Sequence, residues 1–560
     1  MRALLAAALL IAPLPALADG IVDNVNGVTL DRNGQVVRFK AVLIDKDGRV
    51  TRLVPPNEEP PKLSRRELKK NAGKPLYDWR TDMGGRTLLP GFIDAHGHVM
   101  GLGFAALSLD LSMAKSLDEA KSRIAAYIAA NPDRKWILGR GWNQEVWGLG
   151  RFPTAADLEG VAGGRAVWLE RADGHAGWAS ATAMREAGVT AATKSPAGGR
   201  IETGAGGAPS GVFVDAAMQL IEKAIPQPLP KEHDAAFLQA QQQLLANGVT
   251  AVADMGTSLD DWLSYRRMAD IGAVRVRIMS YANSLETAIR VGGKGPTPWL
   301  YGDRLRMGGV KIYADGALGS RGAALKAPYA DAPGERGLAF LSDTQLQNQM
   351  SRAAMDGFQV AVHAIGDRAN AGVLDAIQVL SETYTGDRRW RIEHAQVVDP
   401  ADLKSFGKFG TIASMQPTHA TSDRTMAEAR LGPARLAGAY AWRSMLANGS
   451  KLAFGSDFPV EKPDPWAGWT AAFTREDANG QPSGGWRPEE AVTREQAWWA
   501  FTGGAAFAGF AETKFGSLAP GQRADFIIVD RDPLRATPQQ LRGTVVQQTW
   551  VGGEKAWERR

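Results

Sequence analysis

Apolar and polar positions along the 560-residue chain follow two different periods. Over residues 21–53, and again over 524–530 and 545–551, short β-branched stretches alternate with turn dipeptides such as Asn26-Gly27, Asn33-Gly34, Asp47-Gly48, Asp532-Pro533 and Gly552-Gly553. Apolar runs bounded by such dipeptides predict antiparallel strands. The two end segments are therefore expected to meet in one small β-sandwich. Between them, short apolar strands precede helical stretches at 88–93, 250–254, 274–280, 307–313, 359–363, 391–394, 411–416 and 451–457. Eight such units predict a (β/α)8 TIM barrel of the α/β class, with its active site where the strands end.

The interval between the first and second strands, residues 110–245, is longer than one crossover needs. It carries helical stretches, Gly/Pro-rich connections and Trp136, Trp142, Trp147, Trp168 and Trp178. It reads as a large insertion after strand 1 that would roof the barrel mouth. The expected organisation is a leader over 1–18, the first part of the sandwich over 19–88, the barrel with its insertion over 89–508, and the rest of the sandwich over 509–560.

The leader is expected from a charged start at Arg2, an apolar run over 3–12 and the small-residue triplet Ala16-Leu17-Ala18. This is the pattern of a cleaved secretory signal peptide, and the run is too short to span a bilayer. The mature chain is expected in the periplasm or secreted, with no membrane span. It has no cysteine, which rules out disulfides and thiolate ligands, so a metal would be held by histidine, carboxylate or a lysine-derived oxygen. The formal net charge of +5 is spread among acidic residues; the dense basic run at 62–74 is Pro-flanked and reads as a solvated loop. Nucleic-acid binding would need a concentrated basic face and is not expected. Most of the 17 tryptophans should be core, with some lining a substrate pocket.

His96 and His98 follow the first strand in the run Gly91-Phe92-Ile93-Asp94-Ala95-His96-Gly97-His98. Strand residues two apart share a face, so the pair can close on one metal, with Gly97 leaving room between them. Lys311 lies in the fourth strand, His363 ends the fifth, His394 the sixth, and Asp457 the eighth. Four histidines, a lysine and an aspartate converging on one barrel end make a metal centre. Of the remaining histidines, His175 in the insertion and His419 after strand seven are candidate substrate contacts, as is Arg321 after strand four. His233 reads as a surface residue.

These motifs, with Gly198-Gly199-Arg200-Ile201-Glu202, Glu393-His394-Ala395, Gly455-Ser456-Asp457-Phe458-Pro459 and the closing Gly516-Ser517-Leu518, resemble the amidohydrolase superfamily. The similarity is to its family 3 branch, which includes N-substituted formamide deformylase, and it spans nearly the whole mature chain. The resemblance implies that His96, His98, His363, His394 and Asp457 are ligands of zinc or a similar divalent ion. It places Lys311 where many relatives carry a carboxylated lysine bridging two metals; one ion or two stays open.

The implied reaction is hydrolysis of a non-peptide carbon–nitrogen bond in a small-molecule amide. Asp457 would be the general base that takes a proton from attacking water and delivers it to the leaving nitrogen. An ester, lactone or phosphotriester hydrolase on the same scaffold is the alternative, since fold and metal do not fix the bond cleaved. A non-catalytic ligand-binding relative is a further one. Tryptophans in the insertion would favour an apolar or aromatic amide.

Overall fold

The computed structural model describes residues 20–62, 77–172, 174, 176–196, 199–204 and 206–560. The leader, most of the basic run at 62–74, and His175 lie outside the described residues.

Two sheets form the sandwich. One has four strands in the order Val50–Val54, Ala41–Ile44, Gly20–Asp23, Trp79–Asp82. The other has six, in the order Glu554–Glu558, Val546–Val551, Phe526–Val529, Thr87–Pro90, Asn26–Leu30, Val36–Phe39. The second joins three strands from the C-terminal end to three from the N-terminal end, and Val22 and Val42 of the first share a core with Phe526 and Trp550 of the second. Asn33-Gly34, Asp47-Gly48 and Gly552-Gly553 are the expected turns, each with its glycine at positive φ. Asn26-Gly27 is not. It sits inside a strand, where a Cβ on Gly27 would lie 2.2 Å from the Phe39 ring, so the glycine makes room for an aromatic face.

The barrel is an eight-stranded parallel sheet. Its strands are β1 (Phe92–Gly97), β2 (Val249–Thr257), β3 (Arg277–Ala282), β4 (Leu305–Tyr313), β5 (Gln359–Ala364), β6 (Arg391–His394), β7 (Ile412–Met415) and β8 (Lys451–Phe454). Across the seam between β8 and β1, the Asp457 amide donates to the His96 carbonyl at 2.7 Å and the His98 amide to the Phe458 carbonyl at 2.8 Å. The seam thus closes at the end that carries the candidate ligands. Several following helices start on serine caps, with Ser258, Ser284 and Ser342 each accepting from an amide three residues on. This satisfies otherwise orphaned first-turn donors.

The expected first strand at 88–93 is two strands. Thr87–Pro90 belongs to the sandwich and Phe92–Gly97 to the barrel, because Pro90 has no amide to continue a ladder and Gly91 donates instead to Asp525 at 3.1 Å.

Residues 100–240 form a separate compact unit. It contains the expected helices and also a six-stranded sheet that the hydropathy pattern did not announce, in the order Gly199–Thr203, Pro209–Asp215, Ala176–Ala179, Ala166–Arg171, Trp136–Trp142, Leu109–Asp110. Trp142 and Trp178 are fully buried in its core, their indole N–H groups donating to the carbonyls of Leu169 and Thr154. Trp136 and Trp168 are buried in a second cluster. Four of the five tryptophans expected in this stretch are thus core residues, and the half-buried Trp147 packs against the same core with its indole N–H donating to the Ala114 carbonyl at 2.9 Å. His233 is buried beside Phe104, against the surface position expected of it. No helix among the described residues is long and apolar enough to cross a membrane.

Candidate metal centre

The barrel brings His96, His98, Lys311, His363, His394 and Asp457 together at one end. The rings of His96 and His394 are 4.7 Å apart between centroids, those of His363 and His394 4.6 Å, and those of His96 and His98 5.5 Å. Asp457 Oδ1 lies 3.1 Å from His98 Nε2 and 3.5 Å from His96 Nε2, and Lys311 Nζ lies 3.1 Å from His96 Nε2. His96, Lys311, His394 and Asp457 are buried, His363 is partly exposed, and the His98 side chain keeps 31% exposure. His394 and Asp457 adopt left-handed backbone angles, φ +73° and +60°, unusual for residues with a side chain. Such angles persist where the surroundings over-determine them. Asp457 is held by the seam bond to His96 and by Asp94, which accepts from the Ser456 amide and hydroxyl at 3.1 and 2.6 Å.

Gly97 does not simply leave space between two histidines. A Cβ there would lie 2.3 Å from the Phe458 ring, so the glycine admits the aromatic residue that follows Asp457.

Hydrogen-bond partners fix which ring nitrogen carries each proton. His96 Nδ1 lies 2.7 Å from Glu393 Oε2, which also accepts from Arg391 at 3.2 Å while Oε1 accepts from Arg391 at 2.8 Å, so Nδ1 is the donor and Nε2 keeps its lone pair. His394 Nδ1 lies 2.9 Å from Gln416 Oε1, which leaves Nε2 likewise free. Burial, then the Lys311 charge, lowers His96 to about 4 and His363 to about 3, and burial with the neighbouring imidazoles holds His394 well below the usual range. The imidazoles are therefore neutral, the state a metal requires. Burial likewise lowers Lys311 to about 8.

Three buried polar atoms here have no hydrogen-bond partner among the described residues: His363 Nε2, His419 Nε2 and Asp457 Oδ1. Such atoms are costly to leave bare. A cation beside Asp457 Oδ1 and a lone pair on His363 Nε2 would remove the cost at those two atoms, so the donor set fits a divalent ion. Among the described residues two triads have ligand atoms within 4.8 Å of one another, His96–His98–Asp457 and His394–His419–Asp457, both sharing Asp457.

His419 sits in the short helix Pro417–Ser422 that follows β7, with Nε2 3.9 Å from Asp457 Oδ2. Arg321 is held by Asp331 at 3.0 Å, an ion pair that accounts for its guanidinium without a substrate. Sequence reasoning assigned no role to Glu393, Arg391, Asp94, Gln396 and Gln416. One signal was available: Arg391 and Glu393 are two apart in a short buried strand, so they share its inward face.

A family model described as amidohydrolase family matches residues 81–555. The chain is 32% identical over 491 residues to the protein LONG AFTER FAR-RED 3 of Arabidopsis thaliana, covering 84% of this chain and 82% of that one. It is 28% identical to N-substituted formamide deformylase of Arthrobacter pascens, covering 85% and 90% respectively. A crystal structure of an uncharacterized metal-dependent hydrolase from Pyrococcus furiosus superposes with a TM-score of 0.76 at 28% identity, covering 92% of this chain and 100% of that one.

Proposed function

The chain belongs to the amidohydrolase family, and on that premise we propose that it is an exported metal-dependent hydrolase that cleaves the carbon–nitrogen bond of a small non-peptide amide. The observation that carries this reading is Asp457 Oδ1, buried and without a hydrogen-bond partner among the described residues, 3.1 and 3.5 Å from the Nε2 atoms of His98 and His96. A carboxylate so placed has no packing role that an apolar residue would not fill at lower cost.

His96, His98, His363, His394 and Asp457 would hold the ion, with Lys311 or its carbamate beside them. When bound, a divalent cation such as zinc supplies Lewis acidity and makes water a nucleophile near neutral pH. Asp457 accepts the proton of the attacking water at a carboxylate oxygen and returns it to the departing nitrogen. Glu393 keeps His96 in one tautomer, and Gln416 does so for His394. A lysine amine lowered to about 8 by burial has a substantial neutral fraction near pH 7.5, the form that can take up carbon dioxide as an anionic carbamate.

A panel of N-acyl, N-formyl and ester substrates, assayed with the metal-loaded protein, tests the bond assignment. Turnover of amides above the matching esters supports it; turnover of esters, lactones or phosphotriesters alone replaces it with the alternative chemistry. Export is tested by N-terminal sequencing of the protein recovered outside the cytoplasm, with Asp19 expected as first residue.

A further inference from the structure

His419 differs from the other histidines of the cluster in the chemistry of its Nδ1 partner. In His96 and His394 that partner is an oxygen acceptor, which places the proton on Nδ1. In His419 it is the side-chain amide nitrogen of Gln396, at 3.3 Å. The orientation of that amide is set from the other side, where Gln396 Nε2 also faces Asp423 Oδ2 at 3.5 Å, and Asp423 Oδ2 accepts from the Tyr440 hydroxyl at 2.8 Å. A carboxylate oxygen pairs with the NH2 end of an amide and not with its carbonyl. The NH2 group therefore points at His419 Nδ1, which must accept. In a neutral imidazole the proton then resides on Nε2.

That Nε2–H is buried, has no partner among the described residues, and faces Asp457 Oδ2 at 3.9 Å, beyond hydrogen-bond reach. The His419 ring lies nearly parallel to that of His394, at 6.1 Å and 19°. His394 and His419 thus present opposite functions toward the same carboxylate, one a lone pair and the other an N–H. A metal ligand must offer a lone pair, and an N–H can pair only with an acceptor.

We infer that His419 is not a metal ligand but the hydrogen-bond donor that receives the substrate's carbonyl oxygen and the negative charge that develops on it. The inference rests on the hydrolytic reading above for its substrate. The donor state itself follows from the chain Tyr440–Asp423–Gln396–His419. It assigns the His394–His419–Asp457 triad to a ligand set of His394 and Asp457 with a substrate-facing donor. Its ligand class is a neutral carbonyl compound able to offer one oxygen acceptor. Gln396 and Asp423 are positioning residues that act through His419.

The test uses the full-length zinc-loaded protein and three variants, His419→Ala, His419→Gln and Gln396→Glu. Metal equivalents are counted, and kcat and KM are measured on the best amide of the substrate panel. The His419 tautomer is read by nitrogen-15 NMR of histidine-labelled protein. In His419→Ala, metal content should match the wild type while kcat falls about a hundred- to a thousandfold, the loss typical of one oxyanion donor. His419→Gln, whose amide can again donate, should recover at least about tenfold of that loss. Gln396→Glu makes Nδ1 the protonated nitrogen and should lower kcat toward the alanine value with metal content unchanged. Loss of a metal equivalent in His419→Ala, an unprotonated Nε2 in the wild-type spectrum, or unchanged kcat in both His419→Ala and Gln396→Glu overturns the inference. If the wild type turns over no amide or ester, the hydrolytic reading fails by itself. The spectrum and metal count then still decide whether His419 is a donor or a ligand.

Discussion

Glu393 Oε2 accepts from His96 Nδ1 at 2.7 Å with both side chains fully buried, so a carboxylate inside the barrel sets the tautomer of a histidine at its mouth. The same carboxylate neutralises Arg391, which also reaches Tyr281, Ser414 and the Ala95 carbonyl. Glu393→Gln keeps an oxygen for His96 but leaves the Arg391 cation buried without its counter-charge. Partners of ligating histidines are worth about 10–100-fold in metal affinity, and a buried charge stripped of its partner costs about 3–5 kcal/mol. The variant is expected to bind zinc more weakly by that factor and to melt at lower temperature. Competition with a chelator and a thermal melt read the two effects; wild-type values in both would show that the pair is incidental.

Lys311 stands 3.1 Å from His96 Nε2 and 5.0 Å from the Tyr313 ring centroid. If its carbamate bridges two ions, Lys311→Ala should lose at most one metal equivalent, and short carboxylic acids added to the variant should restore part of the rate. Unchanged metal content and rate would make Lys311 structural.

Asp457→Asn preserves size and one coordinating oxygen while removing the proton acceptor. Turnover should drop at least about a hundredfold, the low end of what a positioned acid–base group contributes. The fold and most of the metal should remain, because the backbone at Asp457 is pinned by its amide bond to His96 and by Asp94 through Ser456. Rate, metal content and melting on one preparation separate the roles. Parallel loss of metal and rate would leave Asp457 a ligand only, and near-normal turnover would remove it from the mechanism.

In the unit formed by residues 100–240, Asp157 closes a capping box on Thr154 and pairs with both nitrogens of Arg151 at 2.8 and 2.9 Å. The Arg151 hydrogen bonds hold its pKa down at about 2. The folded value is depressed, so this contribution is fully present above the unfolded carboxylate value of about 4 and is lost as pH falls through about 2. Asp157→Ala should lower stability by about 1 kcal/mol at neutral pH, the usual worth of a helix cap. The difference between the two proteins should vanish at the acid end. A constant difference between pH 7 and pH 2 would contradict the assignment.

The barrel was legible because its strands are short apolar runs, several of which carry histidine, lysine or aspartate at or near their ends, as at His96, Lys311, His363, His394 and Asp457. The sheet in residues 100–240 was not, because its strands carry internal glycines, as at Gly139, Gly177 and Gly211, which blur the alternation a half-buried strand would show. The split at Pro90 was concealed by a continuous apolar run across two different sheets. Candidate ligands were visible as residue types, whereas Gln396, Gln416 and Asp94 were not. Their value lies in partners 22 to 362 positions away, which only the folded chain brings into reach.

The proposed hydrolysis requires a metal at this cluster, and one experiment addresses that directly. Metal content and amide turnover are measured on the purified protein as isolated, after chelation, and after zinc is restored. A divalent ion should be present at one or two equivalents per chain, turnover should vanish on its removal, and its return should bring activity back. Full turnover in protein shown to be metal-free would contradict the account.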